Sequence, residues 1–570
     1  MRHKTTLVII IGFMAAIGAD LLFAGESNGE ASKSNTRFAV DLYRQLASEN
    51  AGENLFFSPW SISGAMTILA EGARGETAEQ IGRVLQLPQS ARTGDASIPW
   101  KMESLHVDRA AITRSLIGPD DSPEARAARE RIVQLRAELA KLGDSPKTVP
   151  ASGGHDPFAE PAVREREIIE ELDREREKIG SHELWSAGSL WIEKTFPFRQ
   201  DFLRTVRKHY GPGNVYAVDF KGRHVQAREE INRIVARQTG ERIKSAVGPS
   251  DIDRQTRLLI TDTIYFRGEW VRPFPRWGTD DRDFTLADGQ TIKTPIMTDT
   301  SEEFAYAAFN GDGTLFDTPD MIRSEVPSPQ IPVADPFDSV EPAEPGDAPD
   351  PFGPDDLDVA FDPFADDPAK VAQYKAAEEE AAARRAAELA KFYPDSRGFA
   401  AVELPYRGRR IAMVLIAPND PARLPAVEAL LSAENLRTWL GHLKRRETEI
   451  ELPRVKFDTT YMLGSAEPKP SSVLPAMGMT RAFNGGLDPS RAAQFGGIAD
   501  STDPLYITKV VHKASIEINE RGTEATADPF GELPERPFIP HFTADRPFLF
   551  LIHDRQTGTV LFLGRVTKPN

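Results

Sequence analysis

The amino-acid sequence predicts an α+β fold, in which long buried strands and amphipathic helices pack together. Residues 505–518 are rich in β-branched and apolar side chains, which is typical of a long strand in a well-covered sheet. Residues 258–270 form a nearly continuous apolar run, as expected when both faces of a strand are buried. Helix signals precede apolar repeats near the amino terminus, which indicates helices that pack through one apolar face.

The first predicted elements are a helix, a short strand and a second helix. Asn35 is a suitable helix cap, and apolar residues repeat on one face over residues 38–46. Residues 54–57 have the pattern of a short buried strand. Ser58 then offers a capping hydroxyl, and Pro59 is suited to the first turn of a helix. The sequence therefore predicts a strand that leads directly into a helix.

The composition limits the classes of partner and site. The chain has 570 residues, a formal net charge of −17 and no cysteine. Such an acidic protein is repelled by the phosphates of nucleic acid, so the composition excludes that partner and favours a basic protein. Without cysteine there is neither a disulfide framework nor a zinc–thiolate site, and stability must come from a large core.

Residues 1–24 have the composition of an export signal. A basic head ending at Lys4 precedes an apolar run over residues 7–19, which is too short to span a bilayer comfortably. We predict cleavage near Ala24 and a secreted protein, extracellular or periplasmic, with no stable membrane span after signal removal. The alternative is an uncleaved anchor, because the cleavage site is loosely defined.

Two long stretches interrupt the alternation of strands and helices, and the first is charged and helical. Residues 91–180 contain two charged helical patterns with narrow apolar stripes, joined by a loop at residues 150–154. We expect the two helices to pack on each other as a hairpin. A narrow stripe could also bind a partner helix, which leaves that alternative open.

The second stretch, residues 310–396, is acidic and rich in proline. It contains neither lysine nor arginine between Asp335 and Asp367, and it repeats the sequence Asp-Pro-Phe. This composition buries too little apolar surface to become ordered, so we predict a disordered insertion. The repeated Asp-Pro-Phe is either a short docking motif or a result of biased composition.

Three groups of residues carry a resemblance to a known family. Residues 510–525 read Val-Val-His-Lys-Ala-Ser-Ile-Glu-Ile-Asn-Glu-Arg-Gly-Thr-Glu-Ala, residues 57–63 read Phe-Ser-Pro-Trp-Ser-Ile-Ser, and residues 403–406 read Glu-Leu-Pro-Tyr. In these motifs the chain resembles the serpin family of protease inhibitors. The resemblance covers residues 35–90, 181–308 and 397–570. It implies one serpin domain over residues 35–570, interrupted by the two insertions.

The resemblance implies an α+β serpin fold with three β-sheets (A, B and C), about eight or nine helices and an exposed reactive-centre loop. It places Ser58, Ser61 and His512 beneath the main sheet, in the region called the shutter. Trp270 falls at the breach, where the loop would begin to enter the sheet. From the residues alone, Ser58 is a helix cap and His512 a strand histidine with a structural partner, and no catalytic role is expected. Asp262 replaces the customary asparagine, and a carboxylate there needs hydrogen-bond partners.

The resemblance implies an inhibitor rather than an enzyme. The chain contains no nucleophile–base motif, metal-binding motif or phosphate-binding loop, so neither a metal nor a cofactor is expected. The partner implied is a target protease of the serine or cysteine type, and the inhibitor is expected to be a monomer. The protease would cut the exposed loop and form an acyl-enzyme. The freed loop would then insert as a central strand of sheet A and trap the protease.

The residues after the predicted strand have the alternation that insertion requires. Side chains of an inserting strand point alternately to the two faces of the sheet, so the inward positions must be small. Thr523, Ala525 and Ala527 share one face and are small, whereas the other face carries polar side chains. The resemblance assigns the hinge to Glu520, Gly522, Thr523, Glu524, Ala525, Thr526 and Ala527.

Prolines beyond the hinge suggest an alternative function. Pro529 and Pro534 lack the amide hydrogen that a central strand needs, so insertion could stall and leave a non-inhibitory binding or scaffold protein. By the loop length of the family, the bait bond joins Arg536 to Pro537, and arginine suggests a trypsin-like protease with an acidic pocket. Proline after the bond is generally resisted by such proteases, so the bonds after Glu535 and Phe538 remain open.

Overall fold

The computed structural model describes three β-sheets and the helices that surround them. It describes residues 30–117, 182–210, 214–239, 243–301, 304–316, 395–466, 473–486, 490–501, 503–521 and 539–569, with residues 241 and 488 and scattered positions within 127–138 and 168–175. The described chain therefore includes the long strand predicted before the hinge, and it stops at Arg521, one residue before Gly522.

The helices and strands follow one another along the whole described chain. The helices are α1 (30–49), α2 (Pro59–Gly72), α3 (Gly75–Val84), α4 (Glu103–Ile117), α5 (Gln200–Tyr210), α6 (Phe220–Gln238), α7 (Leu424–Leu430), α8 (Ala433–His442) and α9 (Val473–Ala476). The strands are β1 (Leu55–Phe57), β2 (His182–Glu193), β3 (Val215–Val218), β4 (Leu258–Gly268), β5 (Thr279–Thr285), β6 (Thr291–Ser301), β7 (Ala305–Phe309), β8 (Phe399–Pro405), β9 (Ile411–Pro418), β10 (Lys444–Arg445), β11 (Thr448–Pro453), β12 (Val455–Ser465), β13 (Ile507–Ile518), β14 (His541–Thr543), β15 (Phe548–Asp554) and β16 (Thr559–Val566).

The strands form sheets of five, seven and four members. The five-stranded sheet has the order β12-β13-β4-β2-β3, and β13 runs parallel to β4 at its centre. The seven-stranded sheet has the order β1-β16-β15-β9-β8-β7-β10, and the four-stranded sheet the order β14-β11-β6-β5. β13 and β14 are consecutive strands but belong to different sheets, so the segment 522–538 connects the five-stranded sheet to the four-stranded one.

The central strand β4 is covered on both faces, as its apolar run predicted. Leu258 and Ile260 belong to a buried cluster that includes Met66 of α2. Leu259, which points to the opposite face, belongs to a second cluster with Ile231 of α6. The five-stranded sheet therefore lies between α2 on one face and α6 on the other.

The start of α2 agrees with the sequence prediction, whereas the predicted cap of α1 is wrong. The Ser58 hydroxyl accepts a hydrogen bond from the Ser61 N–H at 3.1 Å, and Pro59 occupies the first turn. Asn35, however, lies inside α1 and is buried. Its side-chain amide donates to the carbonyl of Val560 at 2.8 Å, so a residue with a cap-like side chain instead ties α1 to β16.

The first predicted insertion is described in part. The described positions within 127–138 and 168–175 are helical, as predicted, and Arg131 Nη2 lies 2.7 Å from Glu171 Oε1 in an ion pair between the two segments. Leu135 and Ile168 are buried. α4, which lies earlier in the same stretch, places Ile112 in the core.

The second predicted insertion and the export segment fall outside the description. Residues 317–394 and residues 1–29 are not among the described residues. The disorder predicted for the acidic stretch and the signal predicted over residues 1–24 therefore stay predictions. Within the part of the chain that is described, no helix is both long enough and apolar enough to cross a membrane.

Candidate functional site

β4 and β13 meet along a parallel seam in the middle of the five-stranded sheet. Their register runs from Leu258 opposite Ile507 to Tyr265 opposite Ser515. Both strands continue beyond this register, over residues 266–268 and 516–518, toward the end from which the chain leads to residue 522.

Four buried polar side chains form a network across the middle of the seam. His512 lies opposite Asp262 in the register, and its Nδ1 is 2.8 Å from Asp262 Oδ2. The Ser61 hydroxyl donates to Asp262 Oδ1. The Ser58 backbone N–H donates to His512 Nε2 at 3.2 Å, and the Ser58 hydroxyl donates to the carbonyl of Leu561 at 2.6 Å. The structure thus brings the three predicted shutter residues together and adds Asp262 to them.

This network has the wrong connections for nucleophilic catalysis. A serine nucleophile needs a hydrogen bond from its hydroxyl to the base that takes its proton. Here the Ser58 hydroxyl is bonded to a main-chain carbonyl, the Ser61 hydroxyl to a carboxylate, and His512 Nε2 to a backbone N–H. All four side chains are buried, which also denies access to a substrate. The network joins α2 to both strands of the seam.

Arg109 of α4 is a buried cation beside this network, and no sequence motif pointed to it. Its guanidinium carbon lies 3.8 Å from the ring centre of Trp60, and Nη1 donates to the Ser63 hydroxyl at 3.0 Å. Burial lowers the pKa of Arg109 to about 10, while the neighbouring Tyr210 and Asp262 favour its charged form. Asp262 therefore has a cation in its surroundings as well as two hydrogen-bond donors.

Trp270 holds the chain where it leaves the end of β13. The buried indole stacks on Tyr406 with 4.4 Å between ring centres, and its Nε1 donates to the carbonyl of Asn519 at 3.1 Å. The Trp270 backbone N–H donates to the carbonyl of Arg521 at 3.1 Å. Trp270 thus lies at the end of the seam where β13 finishes, beside the last described residues before Gly522.

Glu520 is the one member of the predicted hinge that the structure describes. Its Oε1 accepts hydrogen bonds from Arg454 Nε at 2.8 Å and from the Thr279 hydroxyl at 2.7 Å. Burial alone would raise the pKa of Glu520, but the hydrogen bonds from Arg454 and Thr279 outweigh burial and lower it. The other predicted residues, namely Gly522, Thr523, Glu524, Ala525, Thr526, Ala527, Arg536 and Pro537, lie outside the described residues.

We expect Glu520→Gln to destabilise the intact protein at neutral pH but not in acid. Because the folded pKa of Glu520 lies below the unfolded value of about 4.3, the carboxylate stabilises the fold above that pH. This contribution is lost as the pH falls through the folded pKa. The expected loss at pH 7 is about 1.5–3 kcal/mol, the usual range for hydrogen bonds to a charged group. Denaturant unfolding at neutral pH and below the folded pKa measures it.

Glu517→Gln is the matched control, because Glu517 makes an exposed ion pair with Lys456 on the neighbouring strand. An exposed pair contributes less than about 1 kcal/mol. Equal destabilisation by both substitutions at neutral pH would contradict the expectation. So would a loss in Glu520→Gln that persists unchanged in acid.

The fold has three β-sheets, a parallel seam between β4 and β13, and a chain that leaves β13 under the hold of Trp270. Comparison with known families shows to which class of protein this arrangement belongs. A family model described as "Serpin (serine protease inhibitor)" matches residues 33–140, 159–315 and 384–569. The chain belongs to the serpin family, and the family prediction made from the sequence is confirmed.

The relatives of this chain include proteins from very different organisms. An uncharacterized serpin-like protein of Thermococcus kodakarensis is 28% identical, over 96% of this chain and 88% of its own length. Leukocyte elastase inhibitor A of Rattus norvegicus is 26% identical, over 94% and 99%. Plasminogen activator inhibitor 2 of Homo sapiens is also 26% identical, over 94% and 98%.

Solved structures confirm the predicted serpin fold. Uncleaved ovalbumin matches with a TM-score of 0.58 at 20% identity, over 95% of this chain and 99% of its own. Native protease nexin-1, solved with heparin, matches with a TM-score of 0.60 at 18% identity, over 95% and 100%. At these identities the similarity establishes the three-sheet α+β fold alone.

Proposed function

We propose that this serpin is a suicide inhibitor that traps a serine protease, or a cysteine protease, as an acyl-enzyme. The observation that carries the proposal is the parallel seam between β4 and β13 in the middle of the five-stranded sheet, whose register ends at Tyr265 and Ser515 on the side from which the chain leads into the predicted hinge. A strand placed there would become the centre of the sheet and gain a hydrogen-bonded ladder on both sides. Relatives named as elastase and plasminogen activator inhibitors support the same class of activity.

The chemistry of trapping follows from an ordinary acyl transfer. The hydroxyl of the protease serine loses its proton to the protease's own base and attacks the carbonyl carbon of Arg536. An ester forms, the bond to the Pro537 nitrogen breaks, and that nitrogen takes the proton. The hinge side of the cut loop stays attached to β13 and carries the protease with it as it inserts. Distortion of the protease then prevents water from completing hydrolysis.

The energy for this step comes from the intact fold, which must lie above a more stable, inserted state. In the sequence, the segment 522–538 joins the end of the chain that follows β13 to the chain that precedes β14, and these two strands belong to different sheets. Insertion would add new backbone hydrogen bonds and bury the small face formed by Thr523, Ala525 and Ala527. The small side chains allow this face to enter a packed core without displacing it.

The test is to mix the protein with a panel of serine and cysteine proteases. A trypsin-like member should give a complex that survives SDS and boiling, and mass spectrometry should place the cut after Arg536. Arg536→Ala should lower the amount of that complex at least tenfold, because the acidic pocket of the protease loses its cation. Only cleaved monomer across the whole panel would contradict the proposal.

A second candidate function is that of a non-inhibitory binding or scaffold protein. Pro529 and Pro534 favour it, because each removes a hydrogen bond from a strand that insertion would place at the centre of the sheet. This candidate predicts that cleavage in the loop leaves the melting temperature of the serpin unchanged. A large rise in melting temperature on cleavage supports the inhibitor and contradicts the scaffold.

We also propose that the inhibitor is a monomer exported through residues 1–24, with one domain over residues 35–570. The charged helical insertion over 91–180 and the acidic insertion over 310–396 support this division, since the stretches that the family match omits, 141–158 and 316–383, fall within them. Intact mass after expression in a secreting host tests export, and sedimentation of the purified protein tests the monomeric state.

A further inference from the structure

We propose that a basic patch on α8 and β10 is the docking surface for the acidic stretch of this same chain, residues 335–367. The patch consists of Arg437, Lys444, Arg445 and Arg446. The stretch itself lies outside the described residues, whereas the patch and the two chain segments that lead toward the stretch lie within them. Docking within one molecule would withhold the patch from other anionic partners, and it does not depend on the proposed inhibitory function.

The patch concentrates positive charge on a strongly acidic protein. Residues 433–446 carry four lysine and arginine side chains and one carboxylate, whereas the whole chain has a formal net charge of −17. Arg437, Lys444 and Arg445 are exposed. Among the residues that the structure describes, neither Arg437, Lys444 nor Arg446 forms an ion pair with a carboxylate. These cations are therefore available to an acidic partner.

The patch lies at the edge of the seven-stranded sheet. β10 is the last strand in the order of that sheet, and it pairs with β7 through Lys444 opposite Tyr306 and Arg445 opposite Ala305. Charged side chains on an edge strand commonly prevent pairing with other molecules. That role accounts for the two residues of β10 but not for Arg437, which lies on a helix. Docking of an anionic segment accounts for both elements.

The acidic stretch is joined to the folded chain beside the patch. β7, the partner of β10, leads through residues 310–316 toward the stretch, and Trp439 Nε1 of α8 donates to the carbonyl of Gly313 at 3.1 Å. The returning chain lies close by, since a Cβ added at Gly311 would be 2.8 Å from the Cβ of Arg397. The outgoing and returning segments therefore meet next to α8.

The stretch is close enough along the chain to reach the patch. Residues 316 and 335 are nineteen positions apart, which allows a span of up to about 65 Å. Lys444 lies opposite Tyr306, only three residues before the end of β7, or about 10 Å along the strand. A partner on such a tether commonly acts at an effective concentration of about 1 mM, which favours it over a free anionic ligand.

The charge of the stretch complements that of the patch. Residues 335–367 carry twelve carboxylates and neither lysine nor arginine. A free polyanion would also meet the repulsion of a chain with an overall negative charge, whereas a tethered segment has no such approach to make. The contact is electrostatic, so it should weaken as salt shortens the screening length from about 10 Å at 0.1 M to about 3 Å at 1 M.

The test is zero-length crosslinking of the full-length protein with a carbodiimide, which joins a lysine amine to a carboxylate in contact with it. In about 20 mM salt, mass spectrometry of the monomer should find Lys444 linked to carboxylates within residues 335–367. In about 1 M salt the yield should fall at least tenfold. Arg437→Gln combined with Arg446→Gln should lower the low-salt yield at least threefold, because two of the four cations are removed.

Lys244 is the matched control, because it is an exposed lysine after α6 that also has no ion pair among the described residues. It should give less than about a tenth of the Lys444 yield with the same stretch. Equal yields from the two lysines, no link from Lys444, or a yield that salt does not change overturns the proposal. Links found only in crosslinked dimers overturn docking within one molecule. Failure to trap any protease would contradict the proposed function and leave this result unaffected.

Discussion

Thr523→Arg is expected to abolish trapping and to convert the protein into a substrate of its target protease. In the proposed inserted strand, Thr523 would be the first of the small residues that share the inward face. An arginine there would bring an unpaired charge into a packed core, which costs several kcal/mol. A barrier raised by only about 2.7 kcal/mol slows insertion about a hundredfold. Hydrolysis of the acyl-enzyme is then faster than loop insertion, and the protease is released.

The measurement is the fraction of protease held in an SDS-stable complex, together with the number of inhibitor molecules cut for each protease trapped. Glu524→Arg is the matched control, because in the proposed inserted strand the neighbouring position would face the opposite side, to which the alternation assigns polar residues. It should trap as well as the unaltered protein. Equal loss of trapping in both variants would show that the alternation of faces does not govern insertion.

Trp270→Ala is expected to destabilise the intact protein by about 3–5 kcal/mol, the usual range for removing a buried tryptophan. The substitution removes the stacking contact with Tyr406 and the hydrogen bond to the Asn519 carbonyl. The carbonyl is then left without that donor, which adds to the cost of the cavity. Because the same bond holds the chain where it leaves β13, the hinge should also become accessible to proteases that do not cut the unaltered protein.

Equilibrium unfolding in denaturant measures the first effect, and limited proteolysis near residues 519–521 measures the second. Trp277→Ala is the control, since Trp277 is 66% exposed and its removal leaves no cavity. It should change the free energy of unfolding by less than about 0.5 kcal/mol. A loss of similar size in the two variants would contradict the expectation, because it would show that the buried contacts of Trp270 add nothing to the free energy of unfolding.

Much of the fold could be predicted because its signals are local. The apolar run that became β4 and the cap at Ser58 each depend on neighbours in sequence. The family motifs likewise pointed to Ser58, Ser61 and His512 before any distance was known. The sequence also indicated that a carboxylate at position 262 needs partners, and two of those residues supply them.

The features that the sequence did not predict depend on contacts between distant parts of the chain. The side chain of Asn35 has the chemistry of a cap, but the carbonyl of Val560 takes its hydrogen bond because the two meet only in the folded core. Arg109 has no local sign of burial. It is buried because Trp60 offers its ring and because Gly64 leaves room, since a Cβ there would lie 2.6 Å from Arg109 Nη2. Neither contact can be deduced from periodicity.

One consequence follows from the short strand on the far side of the loop. β14 is held at the edge of the four-stranded sheet by three residue pairs with β11, from Glu449 opposite His541 to Glu451 opposite Thr543. If the protein inserts its loop as proposed, these pairs would hold the far end of the uncut loop and oppose its movement into the seam. Separation of β14 from β11 would then allow the uncut loop to insert into the seam. The protein would lose its proposed inhibitory activity without any contact with a protease. On the proposed function, the time for which the protein stays active would therefore depend on the few β11–β14 backbone pairs at the edge of the four-stranded sheet.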